Sequence, residues 1–184
     1  MDFPNFTSDG VLPTGDYEMT FPELKQSMLV LGKTGVTDKF WDTDRRLWLV
    51  EQTEILVNQL WQVGIENIFI DGSFTENKNR PGDIDGYFEA PWKRQLSRGL
   101  EHDLNLLSKD KIWTWRREDR RECEGKKRLP MWILHRVEFY PYWTDSPFPM
   151  GTGILDEKGK DLPFPKAFRR SRSGVEKGIV KIIR

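Results

Sequence analysis

Two short strand-like segments joined by a polar loop constrain the fold of this chain more than any other feature. The first, residues 67–70, is apolar at three successive positions and runs directly into Asp71-Gly72-Ser73. The second, residues 83–88, begins after a loop that Pro81 and Gly82 close. Short β-branched and aromatic runs bounded by turn residues are typical of buried strands. We therefore expect both segments to lie in one sheet.

Helical patterns fill much of the remaining chain. Thr20, with Glu23 three residues later, has the spacing of a capping box and predicts a short helix that ends near residue 32. Apolar residues at helical spacing predict a longer helix over residues 43–63, with Gly64 as its C-cap. Pro91 suits the first turn of a third helix, which we expect to reach about residue 107.

Two further segments read as strands. Residues 132–140 alternate between apolar and polar side chains, and residues 178–183 form a short apolar run. Strands interleaved with helices predict an α/β fold, with a small mixed sheet flanked by helices. The 184 residues are close to the common size of one domain. We therefore predict a single domain over residues 1–184, with residues 1–20 as an extended N-terminal arm.

Charge balance and cysteine content limit the classes of partner and compartment. The 29 basic and 29 acidic side chains cancel, so net charge alone predicts no nucleic-acid or membrane surface. No apolar run approaches the roughly 20 residues that a membrane span needs. Cys123 is the only cysteine, which excludes a disulfide within the chain. We expect no signal peptide, no membrane contact and a cytoplasmic location.

Asp83 and Asp85 are the strongest candidates for catalysis. In a strand, side chains two positions apart lie on one face, roughly 6.6 Å apart along the chain, so both carboxylates project together and Ile84 points away. Two unpaired carboxylates at this distance repel, and one would tend to protonate. Divalent cations remove that penalty, because Mg²⁺ prefers carboxylate oxygens and substrate phosphates. We therefore predict that Asp83 and Asp85 bind two Mg²⁺ ions, for which Mn²⁺ can substitute.

The turn after the first strand has the chemistry of a phosphate site. Gly72 permits a tight turn, and Ser73 adds a hydroxyl group to exposed backbone N–H groups. Lys78, in the polar loop that follows, is a candidate to contact the same phosphates. The alternative for Lys78 is an ordinary solvated charge in a loop.

Glu138 is the best candidate for a third carboxylate. It is an acid flanked by apolar residues in the alternating segment 132–140. Together with Asp83 and Asp85 it would hold two metal ions roughly 4 Å apart, one to activate an attacking hydroxyl and one to neutralise the leaving pyrophosphate. The alternative is that Glu138 lies on the solvent face of an amphipathic strand.

These motifs resemble the nucleotidyltransferase superfamily, which includes DNA polymerase beta and the minimal nucleotidyltransferases. The pattern is an apolar residue, Gly, then Gly or Ser, a gap, and Asp-apolar-Asp; here residues 70–73, a nine-residue gap and residues 83–85 match it. The resemblance covers residues 66–89, with Glu138 in addition. It implies a polymerase-beta-like fold, with Asp83, Asp85 and Glu138 as metal ligands and Ser73 on the triphosphate. Gly86 departs from the pattern, because an apolar residue is usual there.

The whole chain also resembles a family of small prokaryotic and phage proteins, through residues 10–15, 71–74 and 177–180. The superfamily resemblance implies transfer of a nucleoside monophosphate from a nucleoside triphosphate to an acceptor hydroxyl, with release of pyrophosphate. Stand-alone enzymes of this type often act as toxins or in phage defence. By that analogy we expect an RNA 3′ end or a protein side chain as acceptor, and a partner antitoxin is conceivable.

Two basic segments are candidates to contact the substrates. Lys177 follows Arg169, Arg170 and Arg172, and we expect it to contact the triphosphate, the alternative being a surface role at the start of a strand. Residues 109–136 carry ten basic and five acidic side chains, with Trp113 and Trp115 near their start. A mixture of basic and aromatic side chains suits RNA. A charged surface over buried aromatic side chains is the alternative for that segment.

Two other functional classes stay open. A non-catalytic interaction module, such as an antitoxin or regulatory subunit, could retain this fold, but it would be expected to lose an acid or the Gly-Ser turn, and both are present. A metal-dependent phosphodiesterase or nuclease also needs clustered acids. Such enzymes usually add a catalytic His or Lys, and no His adjoins Asp83 or Asp85.

Overall fold

A five-stranded mixed sheet forms the centre of the computed structural model, which describes residues 3–33, 39–148, 151–156 and 158–184. In these ranges the strands are β1 (Asp16–Met19), β2 (Ile68–Asp71), β3 (Ile84–Ala90), β4 (Arg121–Cys123), β5 (Lys126–Arg128), β6 (Val137–Trp143), β7 (Gly151–Leu155), β8 (Asp161–Pro163) and β9 (Ile179–Ile182). The helices are α1 (Phe21–Gln26), α2 (Met28–Leu31), α3 (Thr43–Gln62), α4 (Trp92–Leu96), α5 (Gly99–Leu107), α6 (Pro130–His135) and α7 (Phe164–Ala167), with a 3₁₀ turn at Gly72–Thr75.

The strand order of the sheet is β1-β9-β2-β3-β6. Its two outer pairs, β1 with β9 and β3 with β6, are parallel, whereas β2 is antiparallel to both of its neighbours. Strands β4 and β5 form a separate hairpin, and so do β7 and β8. The α/β class with a small mixed sheet, predicted from the sequence, is therefore confirmed.

The two faces of the sheet pack against different layers. Ile70, Ile84 and Val180 face a large apolar core together with buried side chains of α3 and the other N-terminal helices. The opposite face carries Phe69 and Tyr87, whose rings stack with centroids 4.7 Å apart and pack under side chains in and just after α7. This second face matters for function, because the candidate acids lie on it.

The capping residues predicted for the first two helices agree with the structure. Thr20 and Glu23 form the predicted capping box at α1, and Gly64, with φ of 79°, follows the end of α3. The short first helix is two helices, which Ser27 separates. The helix predicted from Pro91 is likewise divided into α4 and α5, because Arg98 between them adopts a left-handed conformation with φ of 51°. None of the helices in the described ranges is long and apolar enough to cross a membrane.

One predicted segment needs correction. The strand expected over residues 132–140 begins only at Val137, because residues 130–135 form α6, which Pro130 opens at a position where a missing N–H costs nothing. Within the segment predicted as an extended N-terminal arm, residues 16–19 form the edge strand β1, which is hydrogen-bonded to β9.

Gly86, which departs from the superfamily pattern, lies in the middle of an unbroken β3. A Cβ at this position would lie 2.5 Å from the Phe69 carbonyl oxygen and 2.6 Å from the Phe139 ring. Any larger residue would push β3 away from β2 or displace the ring. The glycine therefore allows close packing of the sheet and does not loosen the strand.

Candidate functional site

Strand register brings three carboxylates into one row across the sheet. Asp71 of β2 is opposite Asp85 of β3, and Asp85 is opposite Glu138 of β6. Directly paired residues of neighbouring strands share a face, with Cα atoms roughly 4.5–5.5 Å apart. Asp83 precedes β3 and lies two residues from Asp85. Three strands thus collect four acids at one end of the sheet.

Asp85 is the most perturbed member of this row. Its pKa is raised to about 7, chiefly by desolvation and in addition by the negative charges of Asp83, Glu138 and Asp71, while Arg172 opposes them. No hydrogen bond or salt bridge to its carboxylate occurs within the residues that the structure describes. The cause of the shift is thus a half-buried carboxylate that lies among like charges without a hydrogen-bonded or ion-paired partner.

The Gly72-Ser73 turn lies directly against Asp85. Gly72 has φ of 77°, and a Cβ there would be 2.6 Å from Asp85 Oδ2. Only glycine adopts this backbone conformation without strain and also leaves room for the carboxylate. The hydroxyl group of Ser73 has no hydrogen-bond partner among the described residues. It is therefore available to a ligand.

Lys177 lies behind this turn and is almost completely buried. Its ammonium donates to Gly72 O at 3.0 Å and Glu76 Oε1 at 2.7 Å, and it lies 3.0 Å from Asp71 Oδ1. These three acceptors match the three donors of an ammonium group. Burial raises the pKa of Asp71 to about 6, and the positive charge of Lys177 opposes this shift.

A second buried cation holds the loop that follows the turn. Arg46 of α3 is fully buried and donates to the carbonyl oxygens of Phe74, Glu76 and Lys78. Burial lowers its pKa to about 9, so it remains charged. Together with Lys177, it fixes residues 72–78 from two sides. The loop is thus shaped before any ligand binds.

The other two predicted acids are engaged in hydrogen bonds. Trp132 Nε1 donates to Asp83 Oδ2 at 2.8 Å. The Tyr140 hydroxyl donates to Glu138 Oε2 at 2.7 Å, and the Leu129 N–H approaches Oε1 at 3.4 Å. Both carboxylates lie close enough to Asp85 to raise its pKa, but they are directed to these donors.

A pocket of about 650 Å³ opens in front of the turn, within the usual size range for small-ligand sites. It is lined by five of the seven residues that the sequence singled out: Gly72, Ser73, Lys78, Asp85 and Lys177. Asp83 and Glu138 lie beside Asp85 but are not part of the lining. Four exposed or half-buried cations, Lys78, Arg120, Arg170 and Arg172, also face this space.

The three C-terminal arginines separate in the structure. Arg169 donates to Asp16 and to the Tyr87 hydroxyl and does not line the pocket. Arg170 lines the pocket and forms a salt bridge with Glu176, and Arg172 lines the pocket and lowers the pKa of Asp85. Two of the three arginines therefore face the pocket.

The donor chemistry of the acid row suits a divalent cation, because carboxylate oxygens are hard ligands and the row carries excess negative charge around Asp85. In this structure the carboxylates of the acid row do not converge on a single position for a metal ion. In the described ranges no group of three or more Asp, Glu, His or Cys residues is placed to hold one ion. Asp83 and Glu138 would have to exchange their hydrogen bonds with Trp132 and Tyr140 for metal contacts.

Sequence reasoning missed Asp71 and Trp132. Asp71 carries a local signal, since it ends an otherwise apolar strand immediately before the glycine turn. Trp132 carried none, because its segment was interpreted as a strand, and its contact with Asp83 spans 49 residues.

Comparison with known proteins identifies a family but no characterised relative. The model of the family described as "Family of unknown function (DUF6932)" matches residues 4–183, so the chain belongs to that family. No curated protein matches the chain. No solved structure matches it either.

Proposed function

We propose that this member of the family is a metal-dependent nucleotidyltransferase. It transfers a nucleoside monophosphate from a nucleoside triphosphate to the hydroxyl group of a macromolecular acceptor, an RNA 3′ end or a protein side chain. The fold proposed with this function is the polymerase-beta type, in which the two motif strands are β2 and β3.

One observation carries the proposal: a half-buried carboxylate without a hydrogen-bonded or ion-paired partner, Asp85, lies against a glycine-serine turn in the lining of a pocket that also carries cations. A carboxylate held among like charges is unfavourable unless a cation joins it. The cations at the pocket wall favour a polyanion such as a triphosphate. The combination of an acid row and a phosphate-binding wall favours phosphoryl chemistry over either feature alone.

Asp85, Asp83 and Glu138 are the residues that would hold Mg²⁺ or Mn²⁺, which supplies positive charge at the phosphates and lowers the pKa of a bound hydroxyl. Ser73 donates its hydroxyl proton to a triphosphate oxygen, and Lys78 and Arg172 contribute positive charge at the pocket wall. Lys177 acts differently from the sequence-based expectation. Its donors hold Gly72 and Asp71, so it positions the turn instead of touching the nucleotide.

The reaction is an in-line displacement at the α-phosphorus. The acceptor oxygen forms a bond to this phosphorus while the bond to the oxygen that bridges the α- and β-phosphorus atoms breaks. Pyrophosphate leaves with the bonding electron pair, and the hydroxyl proton passes to water. Most of the rate in such transfers comes from positioning and electrostatic stabilisation, which agrees with a loop that Arg46 and Lys177 hold in place.

The test is incubation of purified protein with each α-phosphate-labelled ribonucleoside triphosphate, Mg²⁺ and cell extract, followed by separation of RNA from protein. We expect one macromolecular fraction to become labelled. The matched control is Asp85→Asn, which keeps the size of the side chain and removes its charge. The proposal fails if no fraction is labelled, or if the Asp85→Asn protein labels as well as the unmodified chain.

A further inference from the structure

An arginine cluster surrounds the indole ring of Trp132, on the side of the acid row occupied by Asp83. The guanidinium carbon of Arg128 lies 4.1 Å from the ring centroid, and that of Arg136 lies 4.0 Å from it. The same indole donates its N–H to Asp83. Three segments, β5, α6 and the residue after α6, thus bring two cations to the edge of the candidate site.

Arg45 at the start of α3 extends this cluster. It donates to the carbonyl oxygens of Pro81 and Gly82, the two residues immediately before Asp83. Burial lowers the pKa of Arg45, and the positive charges of Arg136 and Arg80 lower it further, while Asp42 and Asp83 partly offset them. Glu124 is a carboxylate on which the charges of Arg45, Arg128 and Arg136 all act, so its negative charge offsets part of their mutual repulsion.

Arg128 has donors to spare. No acceptor lies within hydrogen-bond distance of its buried Nε, and its guanidinium forms no salt bridge within the described ranges. Arg136, in contrast, is paired with Glu124, whose side chain is 59% exposed. A planar guanidinium that is held by an indole face and has no salt bridge is suited to phosphate oxygens, which its terminal N–H groups can bind.

We propose that Arg45, Arg128 and Arg136 form a binding site for the phosphate backbone of a single nucleic-acid strand, the acceptor in the proposed transfer. The role of this strand as the acceptor rests on the proposed function, whereas the binding of the strand does not. The arginine cluster and the triphosphate pocket share no lining residue. Arg45 contacts the two residues before Asp83, and the Trp132 indole donates to Asp83 itself, whereas the pocket is lined by Asp85.

A protein acceptor fits this surface less well. The site offers guanidinium groups and an indole that two of them already cover. Phosphate contacts fix the position of a strand without reading its bases. We therefore expect RNA and DNA strands of the same sequence to bind alike, and the chemistry at the acids to select the terminal hydroxyl.

Binding is measured by fluorescence anisotropy of a 5′-labelled single-stranded oligonucleotide, as RNA and as DNA, without Mg²⁺ or nucleotide. Arg128→Gln is expected to weaken binding several-fold and to reduce the slope of log affinity against log salt by about 0.7, the value for one lost phosphate contact. Glu124→Gln is expected to strengthen binding, because it releases Arg136 from its carboxylate.

The matched control is Arg184→Gln. Arg184 also lies over an indole, that of Trp61 near the other end of α3, and its loss is expected to leave affinity unchanged. Thermal melts of the Arg128→Gln, Glu124→Gln and Arg184→Gln proteins test whether each variant is folded.

The inference is overturned if neither strand binds at low salt, or if Arg128→Gln binds with the affinity and salt slope of the unmodified chain. Labelling of a protein fraction in the transfer assay, with no oligonucleotide binding, would refute the nucleic-acid site and leave the proposed function standing. Variant effects as expected, with no nucleotide transfer, would support the arginine site and refute the proposed function.

Discussion

Gly72 packs so closely against Asp85 that no larger residue fits at position 72 while Asp85 stays in place. A Cβ on Gly72 would lie 2.6 Å from Asp85 Oδ2 and 3.2 Å from its Cβ. Asp85 is half-buried beside the turn and lines the pocket in front of it. The turn that would receive phosphates and the carboxylate that would receive a metal ion are thus one packed unit.

The first prediction is that Gly72→Ala destabilises the protein by more than backbone strain alone. Gly64→Ala is the matched control, because Gly64 has φ of 79° and no atom within 4 Å of an added Cβ. The control is expected to cost about 1 kcal/mol. Gly72→Ala is expected to cost at least about 1 kcal/mol more through contact with Asp85. Urea denaturation measures both; equal costs would contradict the packed unit.

The second prediction concerns pH. The pKa of Asp85 is raised from an ordinary 3.8 to about 7 in the folded chain, so the native state binds the proton more tightly than the unfolded state does. The free energy of unfolding therefore falls as pH rises from about 4 through about 7, and stays lower above that. Asp85→Asn is expected to remove this loss and to be more stable than the unmodified chain at pH 8, in EDTA, by on the order of a few kcal/mol.

Urea denaturation of both proteins across this pH range, in EDTA, provides the measurement. Asp145→Asn, at an exposed acid, serves as control and is expected to follow the unmodified chain. A variant Asp85→Asn that is less stable than the unmodified chain at pH 8 would show that the carboxylate has a stabilising partner.

The third prediction separates a positioning role for Lys177 from a surface role. Lys177→Met leaves Asp71 buried without its ammonium and is expected to cost roughly 3–5 kcal/mol. Lys181→Met, on the same strand segment, removes a half-exposed pair with Glu18 and is expected to cost about 0–1 kcal/mol. Adding Asp71→Asn to Lys177→Met is expected to restore part of the stability, since it removes the unpaired charge. Equal effects of the two lysine variants would refute the buried role.

Local chemistry explains what the sequence could reveal about this site. Two motifs can be recognised from adjacent residues alone. One is the glycine and serine after an apolar strand, and the other is Asp85, two positions after Asp83 in the next strand. Lys177 meets Gly72 across 105 residues, and Glu138 meets Asp85 only through the register of β3 with β6. Such contacts depend on how the whole sheet pairs, and no local pattern encodes them.

The same reasoning explains the errors in the fold. Residues 132–135 were assigned to the alternating strand, yet Pro130 and the packing of Met131 and Trp132 place them in a helix. Three of these four residues are apolar, and a short apolar run of this kind does not distinguish a strand from a buried helix. Glu138 was predicted from that same segment, and it does lie in a strand, because β6 begins one residue before it.

The fourth prediction concerns nucleotide affinity. The Ser73 hydroxyl has no partner in the described structure and lines the pocket, so Ser73→Ala is expected to weaken nucleoside triphosphate binding by about 1–2 kcal/mol without loss of stability. Ser97→Ala, at an exposed serine between α4 and α5, is the control. Calorimetry with Mg²⁺ and a triphosphate measures both. Unchanged affinity in Ser73→Ala would remove Ser73 from the phosphate site.

The position of the label that is transferred tests the central claim most directly. Parallel reactions use the same triphosphate labelled at its α- or its γ-phosphate, with Mg²⁺ and the acceptor fraction found in the transfer assay. The account predicts that α-label enters the acceptor while γ-label appears only in pyrophosphate, and that Asp83→Asn and Asp85→Asn abolish both. Entry of γ-label into the acceptor, or release of free nucleotide with no labelled acceptor, would contradict a nucleotidyltransferase.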